Sequence, residues 1–205
     1  MLDDFERLNV LTGRNAACWN EYSRKGQELI FDQTLLGLMR GYGGAVYDHG
    51  AFKLHNFGSA YFWDKVVGGY FPSYKNKYNF FGFDWMARQY AISKGGNLIL
   101  MFDPATGEAY ELEQSLIGFF NIDLVEYREE TLALDIFNRL EYLHKNKLGY
   151  NECLGFKKPL FLGGIDKLEN YELTEMEVYW ELSYQIYCKV KGLPLGTIVK
   201  SISID

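Results

Sequence analysis

Cysteine is scarce and poorly placed for cross-linking. Cys18, Cys153 and Cys188 are odd in number, far apart and without a CxxC pair, so neither a disulfide framework nor a zinc site is indicated. Reduced thiols in the cytoplasm are the expectation. Basic residues are outnumbered, 21 Lys and Arg against 27 Asp and Glu, for a net charge of −6. That balance argues against direct nucleic-acid or anionic-membrane binding, which depend on clustered cations. A basic or uncharged protein partner is compatible with it. No run of about 18 apolar residues occurs, and the acidic start MLDDFERLNV has neither the basic nor the apolar stretch of a leader. No fixed-period repeat or low-complexity tract is found.

What is abundant is apolar and aromatic material, 48% and 17% of 205 residues, enough for a substantial core in one domain. Helical spacing is read over 14–25 and over 32–41, the second capped by Asp32 with Leu35, Leu36, Leu38 and Met39 as its stripe. AVYDHGAFKL (45–54) reads as a β-hairpin turning at Asp48, His49 and Gly50. Residues 60–67 fit helix or strand. FFGFDWMARQYAI, GNLILMFD and GEAYEL read as three β-rich runs of an antiparallel meander, followed by a short helix capped by Ser115 and a long one over 129–147. The stretch Asn151–Trp180 packs Gly155, Pro159, the run Leu160, Phe161, Leu162 and the pair Gly163, Gly164 into an ordered, buried clasp. Thr174 and Glu177 form a capping box for a last helix, and 195–204 is prone to an edge strand. These pieces predict a single α+β domain over 1–205, a central antiparallel sheet flanked by helices, with no linker.

Chemistry is harder to find. His49 and His55 flank a hairpin and read as surface residues, and His144 lies beside a helix stripe. Cys153 has no base near it in sequence and reads as a small buried hydrophobe. Gly41 to Gly44 and Gly163–Gly164 lack the context of a phosphate loop. Trp85 and Trp180 are assigned to the core. No catalytic, cofactor-binding or metal-binding residue is assigned. One asymmetry stands out: Asp103, Glu108, Glu111, Glu113, Asp123, Glu126, Glu129, Glu130 and Asp135 face a lone Arg128 in that span. It is either a solvated face or an acidic docking surface that speeds association with a basic partner.

The succession LLGLMRGYGGAVYDHGAFKLHN, FGFDWMARQYAI, LMFDPATGEAYEL and NECLGFKKPLFLGGIDKLENYELTEMEVYW resembles bacterial proteins that join a GAD-like N-terminal part to the C-terminal domain of type VI secretion immunity proteins. That group is itself similar to the SUKH superfamily. The resemblance runs from about Leu35 to Tyr187 and is most specific at Phe81 to Trp85 and at GFKKPLFLGG. It implies a SUKH-like single unit (1–80 GAD-like, 81–205 immunity-type) that is not an enzyme and neutralises a cognate toxin, possessing no cofactor. On this reading Asp103, Glu108, Glu111, Glu126, Glu129 and Glu130 meet a basic toxin, for instance a nuclease. The other reading is an adaptor or small-ligand module with a pocket walled by Trp85, Tyr90 and Phe102.

Overall fold

The computed structural model describes residues 3–15, 20–29, 32–140, 148–194, 196, 197, 199, 201 and 202. At its centre seven strands pair in sequence order, β1 (Leu11–Arg14), β2 (Ala45–Tyr47), β3 (Phe52–Leu54), β4 (Tyr78–Asp84), β5 (Gln89–Ser93), β6 (Ile99–Asp103) and β7 (Glu108–Leu112). All neighbours are antiparallel. The expected α+β meander is therefore present, with one correction: the first β-rich run is two strands, because Asp84 folds the chain back at Trp85 to Arg88.

Both faces of the sheet are covered, and alternation sorts the side chains between two cores. Phe52, Tyr90 and Ile99 pack on one face with Phe5, Leu35, Phe119 and Phe120. Phe80, Phe83, Leu100 and Phe102 pack on the other with Trp63, Met176 and Trp180. A β-bulge decides the sorting in β4. Phe80 pairs with Ala91 and Gly82 with Tyr90, so Phe81 is the extra residue, and Phe80 and Phe83 reach the same core across it.

Helix α1 (Asp3–Leu8) precedes β1, and α2 (Ser23–Leu29) and α3 (Gln33–Tyr42) lie between β1 and β2. The reading of 14–25 as helix is thus corrected: Arg14 ends a strand, 16–19 lie outside the described residues, and the helix begins at Ser23. Asp32 caps α3 as expected, its Oδ1 accepting from the Leu35 N–H at 2.7 Å. The ambiguous stretch is α4 (Phe57–Tyr70), started by a reciprocal box in which Asn56 accepts from Ser59 N–H and Ser59 accepts from Asn56 N–H. Its β-branched and aromatic residues are overruled by that cap and by burial.

After β7, Ser115 caps the short α5 (Leu116–Gly118), which runs into a π-turn at Phe119–Asp123. The long helix expected next is broken into α6 (Arg128–Thr131) and α7 (Leu134–Arg139) by Ala133 in the left-handed region, φ 48°. The break has a tertiary cause. Trp85 Nε1 donates to Leu132 O at 2.6 Å and Arg88 Nη2 to Thr131 O at 2.7 Å, two carbonyls that a continuous helix would use internally. The remainder of that expected helix, 141–147 with His144, is outside the described residues.

The clasp is a hairpin of β8 (Glu152–Phe156) and β9 (Tyr171–Glu175) leading into α8 (Met176–Val190). Thr174 pairs with Cys153 in this hairpin, so the predicted capping box is not formed. Leu160, Phe161 and Leu162 are half-buried rather than sealed. The glycine pair behaves as read: Gly163 has φ +76°, and a Cβ on Gly164 would lie 1.9 Å from Lys158 O. No strand occurs among the described residues of 195–204. Gly155 fits the Tyr179 ring, which a Cβ would meet at 2.6 Å. Tyr179 is 6% exposed and its hydroxyl accepts from Phe156 N–H. Gly155→Ala should therefore cost about 1–3 kcal/mol through overpacking. Thermal unfolding checks this, and an unchanged midpoint would show that the ring moves freely.

Candidate partner-binding surface

The β4–β5 turn organises the surroundings of the acidic residues. Asp84, 0% exposed, accepts from Met86 N–H and Arg88 N–H at 3.0 Å, from Tyr90 hydroxyl at 3.0 Å and from Arg88 Nε at 2.5 Å. A carboxylate with four donors holds one shape. Three later elements then dock on the turn: the α6–α7 junction through Trp85 and Arg88, β8 through Leu154 N–H to Trp85 O, and α8 through Trp180 Nε1 to Ala87 O.

Antiparallel geometry puts the β4–β5 turn, the β6–β7 turn and the Asp48 turn at one end of the sheet. Asp103 and Glu108 face each other in register across the β6–β7 turn there. Asp103 is partly buried, its Oδ1 accepting from Ala105 N–H at 2.7 Å. Burial raises its pKa, against the opposing pull of Arg88. Glu108 is exposed and accepts from Tyr110 hydroxyl. Glu129 and Glu130 are exposed in the first turn of α6, where the helix dipole favours acids, and Glu126 is exposed just before it. The α6 turn is moored at the same end by Arg128, which donates to Asp48 Oδ2 at 2.8 Å and to Leu8 O. Glu111 stands apart. It pairs with Leu100 and so lies on the opposite face of β7 from Glu108.

The polar cluster that sequence reasoning missed lies inside. Lys53 is 0% exposed, with Nζ donating to Gly149 O at 2.8 Å and Glu152 O at 2.7 Å and standing 5.4 Å from the Phe83 ring. Burial pulls its pKa down to about 8, partly offset by Cys153, Glu152 and Asp84. His55, read as a surface residue, is also 0% exposed. Its Nδ1 lies 3.0 Å from Ser59 Oγ and its Nε2 2.9 Å from Gln89 Oε1. The alternation of AFKLH puts Lys53 and His55 on one face, but only a strand covered on both sides buries them. Cys153 is buried as expected, and burial raises its pKa. No histidine lines the concavities beside Tyr61, Phe161, Tyr184 and Val190. The pocket expected from Trp85, Tyr90 and Phe102 is not formed. All three are fully buried, Tyr90 and Phe102 on opposite faces of the sheet.

Among the described residues no helix is long and apolar enough to cross a membrane, and no group of three His, Cys, Asp or Glu is placed to hold a metal ion. No curated protein matches the chain. The fold is similar to that of the crystal structure of Atu4351 from Agrobacterium tumefaciens, with a TM-score of 0.64 over 90% of this chain and 89% of that one at 15% sequence identity. Residues 113–187, from the end of β7 into α8, match the family of the T6SS immunity protein Tdi1, C-terminal. Glu126, Glu129 and Glu130 fall inside that matched segment.

Proposed function

We propose that this chain is an immunity-type protein, without turnover of its own, that binds a cognate secreted toxin in the cytoplasm and neutralises it by covering its active site. In this reading the GAD-like part (1–80) and the immunity-type part (81–205) share one SUKH-like unit. The match of residues 113–187 to the immunity family carries the reading. The exposed acids supply its chemistry. Glu108, Glu126, Glu129 and Glu130, with Asp103 beside them, form a docking face for a basic surface, while Glu111 serves from its far side. A nuclease fits best, since a groove that holds phosphates is rich in Lys and Arg.

The test is binding to the effector encoded beside this protein. Changing Glu108, Glu129 and Glu130 to Lys together should weaken binding by more than tenfold, about 1.4 kcal/mol or more. Added salt should weaken wild-type binding mainly through the association rate, and Glu111→Lys alone should have a smaller effect. Absence of binding at nanomolar concentration would remove the immunity reading. Tight binding indifferent to salt and to the triple reversal would leave that reading standing and eliminate the acidic face.

A further inference from the structure

The end of α4, the β6–β7 turn and the outer half of α8 enclose a concavity of about 240 Å³. Its wall is aromatic and held in place. Tyr70 stacks between Trp180 (centroids 5.8 Å apart, 13° between planes) and Tyr184 (4.1 Å, 18°). The Tyr70 hydroxyl donates to Glu181 at 2.5 Å, locking the ring across two helices distant in sequence. Tyr187 packs closely on Gly107, where a Cβ would come within 2.6 Å of its ring. Pro72 and Pro104 stiffen the two loops that complete the rim.

The charge of the lining is one-sided. Lys191, exposed at the C-terminal end of α8, is its single ionisable cation, and no carboxylate lines it. Lys191 makes no ion pair among the described residues. Glu181, the nearest acid to the stack, already accepts from Tyr70 and Gln185. The volume lies below the ~300 Å³ at which sites for drug-sized molecules begin, so the concavity suits one or two fused rings. Flat aromatic surfaces favour an aromatic body by offset or edge contact, and an ammonium at the mouth favours a carboxylate.

From this geometry we infer that the pocket binds a small free aromatic acid, its ring against Tyr184 and Tyr187 over Trp180 and its carboxylate on Lys191. The site borders the acidic docking face, since Pro104 and Gly107 of its wall are chain neighbours of Asp103 and Glu108 on the β6–β7 turn, and it does not require the toxin.

Isothermal titration of the full chain with indole-3-acetate and 4-hydroxyphenylacetate tests it, with indole-3-acetamide and hexanoate as the uncharged and non-aromatic comparators. The aromatic acids should bind with Kd at or below about 1 mM. The amide and hexanoate should each bind about tenfold more weakly. Lys191→Met, at an exposed position, should abolish the preference for acid over amide while leaving the thermal midpoint unchanged, and Tyr184→Ala should weaken every aromatic probe. Failure of both acids to bind at about 1 mM, equal binding of acid and amide, or a preference that survives Lys191→Met would each overturn the assignment.

Discussion

Asp84→Asn is expected to destabilise the protein by about 3–5 kcal/mol, the cost of leaving one member of a buried ion pair uncompensated. Asp84 is 0% exposed at its side chain and Arg88 14%, so water cannot take over the lost interaction. The asparagine keeps the size of the side chain and an acceptor oxygen for Met86 N–H and Arg88 N–H, while it removes the charge together with the oxygen that accepts from Arg88 Nε and Tyr90 hydroxyl. Asp84→Ala should cost at least as much, because it also strips the turn of the acceptor used by Met86 N–H and Arg88 N–H. Arg88→Met added to Asp84→Asn should recover part of the loss, since an apolar residue of similar length relieves the stranded guanidinium. Urea unfolding gives the values. A cost below about 1 kcal/mol for the asparagine variant would mean the pair behaves like a surface pair, and the role assigned to the turn would be lost.

Acid should destabilise the protein well above the carboxylate range, through His55. Burial pulls its pKa from 6.5 down to about 3, with the Gln89 hydrogen bond opposing. The neutral ring suits its neighbours, Nε2–H donating to Gln89 Oε1 and Nδ1 accepting from Ser59 Oγ. The unfolded chain therefore binds a proton that the folded chain refuses between pH 6.5 and about 3. Stability is complete above the unfolded pKa and falls as pH drops through that window, by up to about 1.4 kcal/mol per pH unit. Between pH 6.5 and 4.5 the loss should reach about 2–3 kcal/mol. His55→Gln cannot titrate, so although less stable at pH 7 it should show a flatter profile over that interval. Parallel profiles for the two proteins would place the acid sensitivity elsewhere.

The parts of the fold legible in advance are those whose causes lie within a few residues. Asp32 and Ser115 cap helices three residues downstream, and alternation in GNLILMFD distributes Leu100 and Phe102 to one core and Ile99 to the other. What escaped reading was set by distant partners. The helix expected over 129–147 stops because Trp85 and Arg88, 47 and 43 residues away from their acceptors, take the carbonyls of Leu132 and Thr131. Thr174 has the spacing of a cap but becomes a strand residue because Cys153 pairs with it.

The candidate sites divide along the same line. Composition and order along the chain were enough to establish a surplus of acid between Asp103 and Asp135, an aromatic core and a two-sided meander, because charge and hydrophobic period are properties of the local sequence. Tertiary structure alone decided that Glu108 and Glu129 share an end of the sheet while Glu111 turns away, that Lys53 and His55 are sealed inside, and that Tyr70 meets Tyr184 across α4 and α8. Those outcomes depend on strand register and on contacts between segments about a hundred residues apart, such as Tyr70 to Glu181, and no local pattern encodes which distant surface will cover a given side chain.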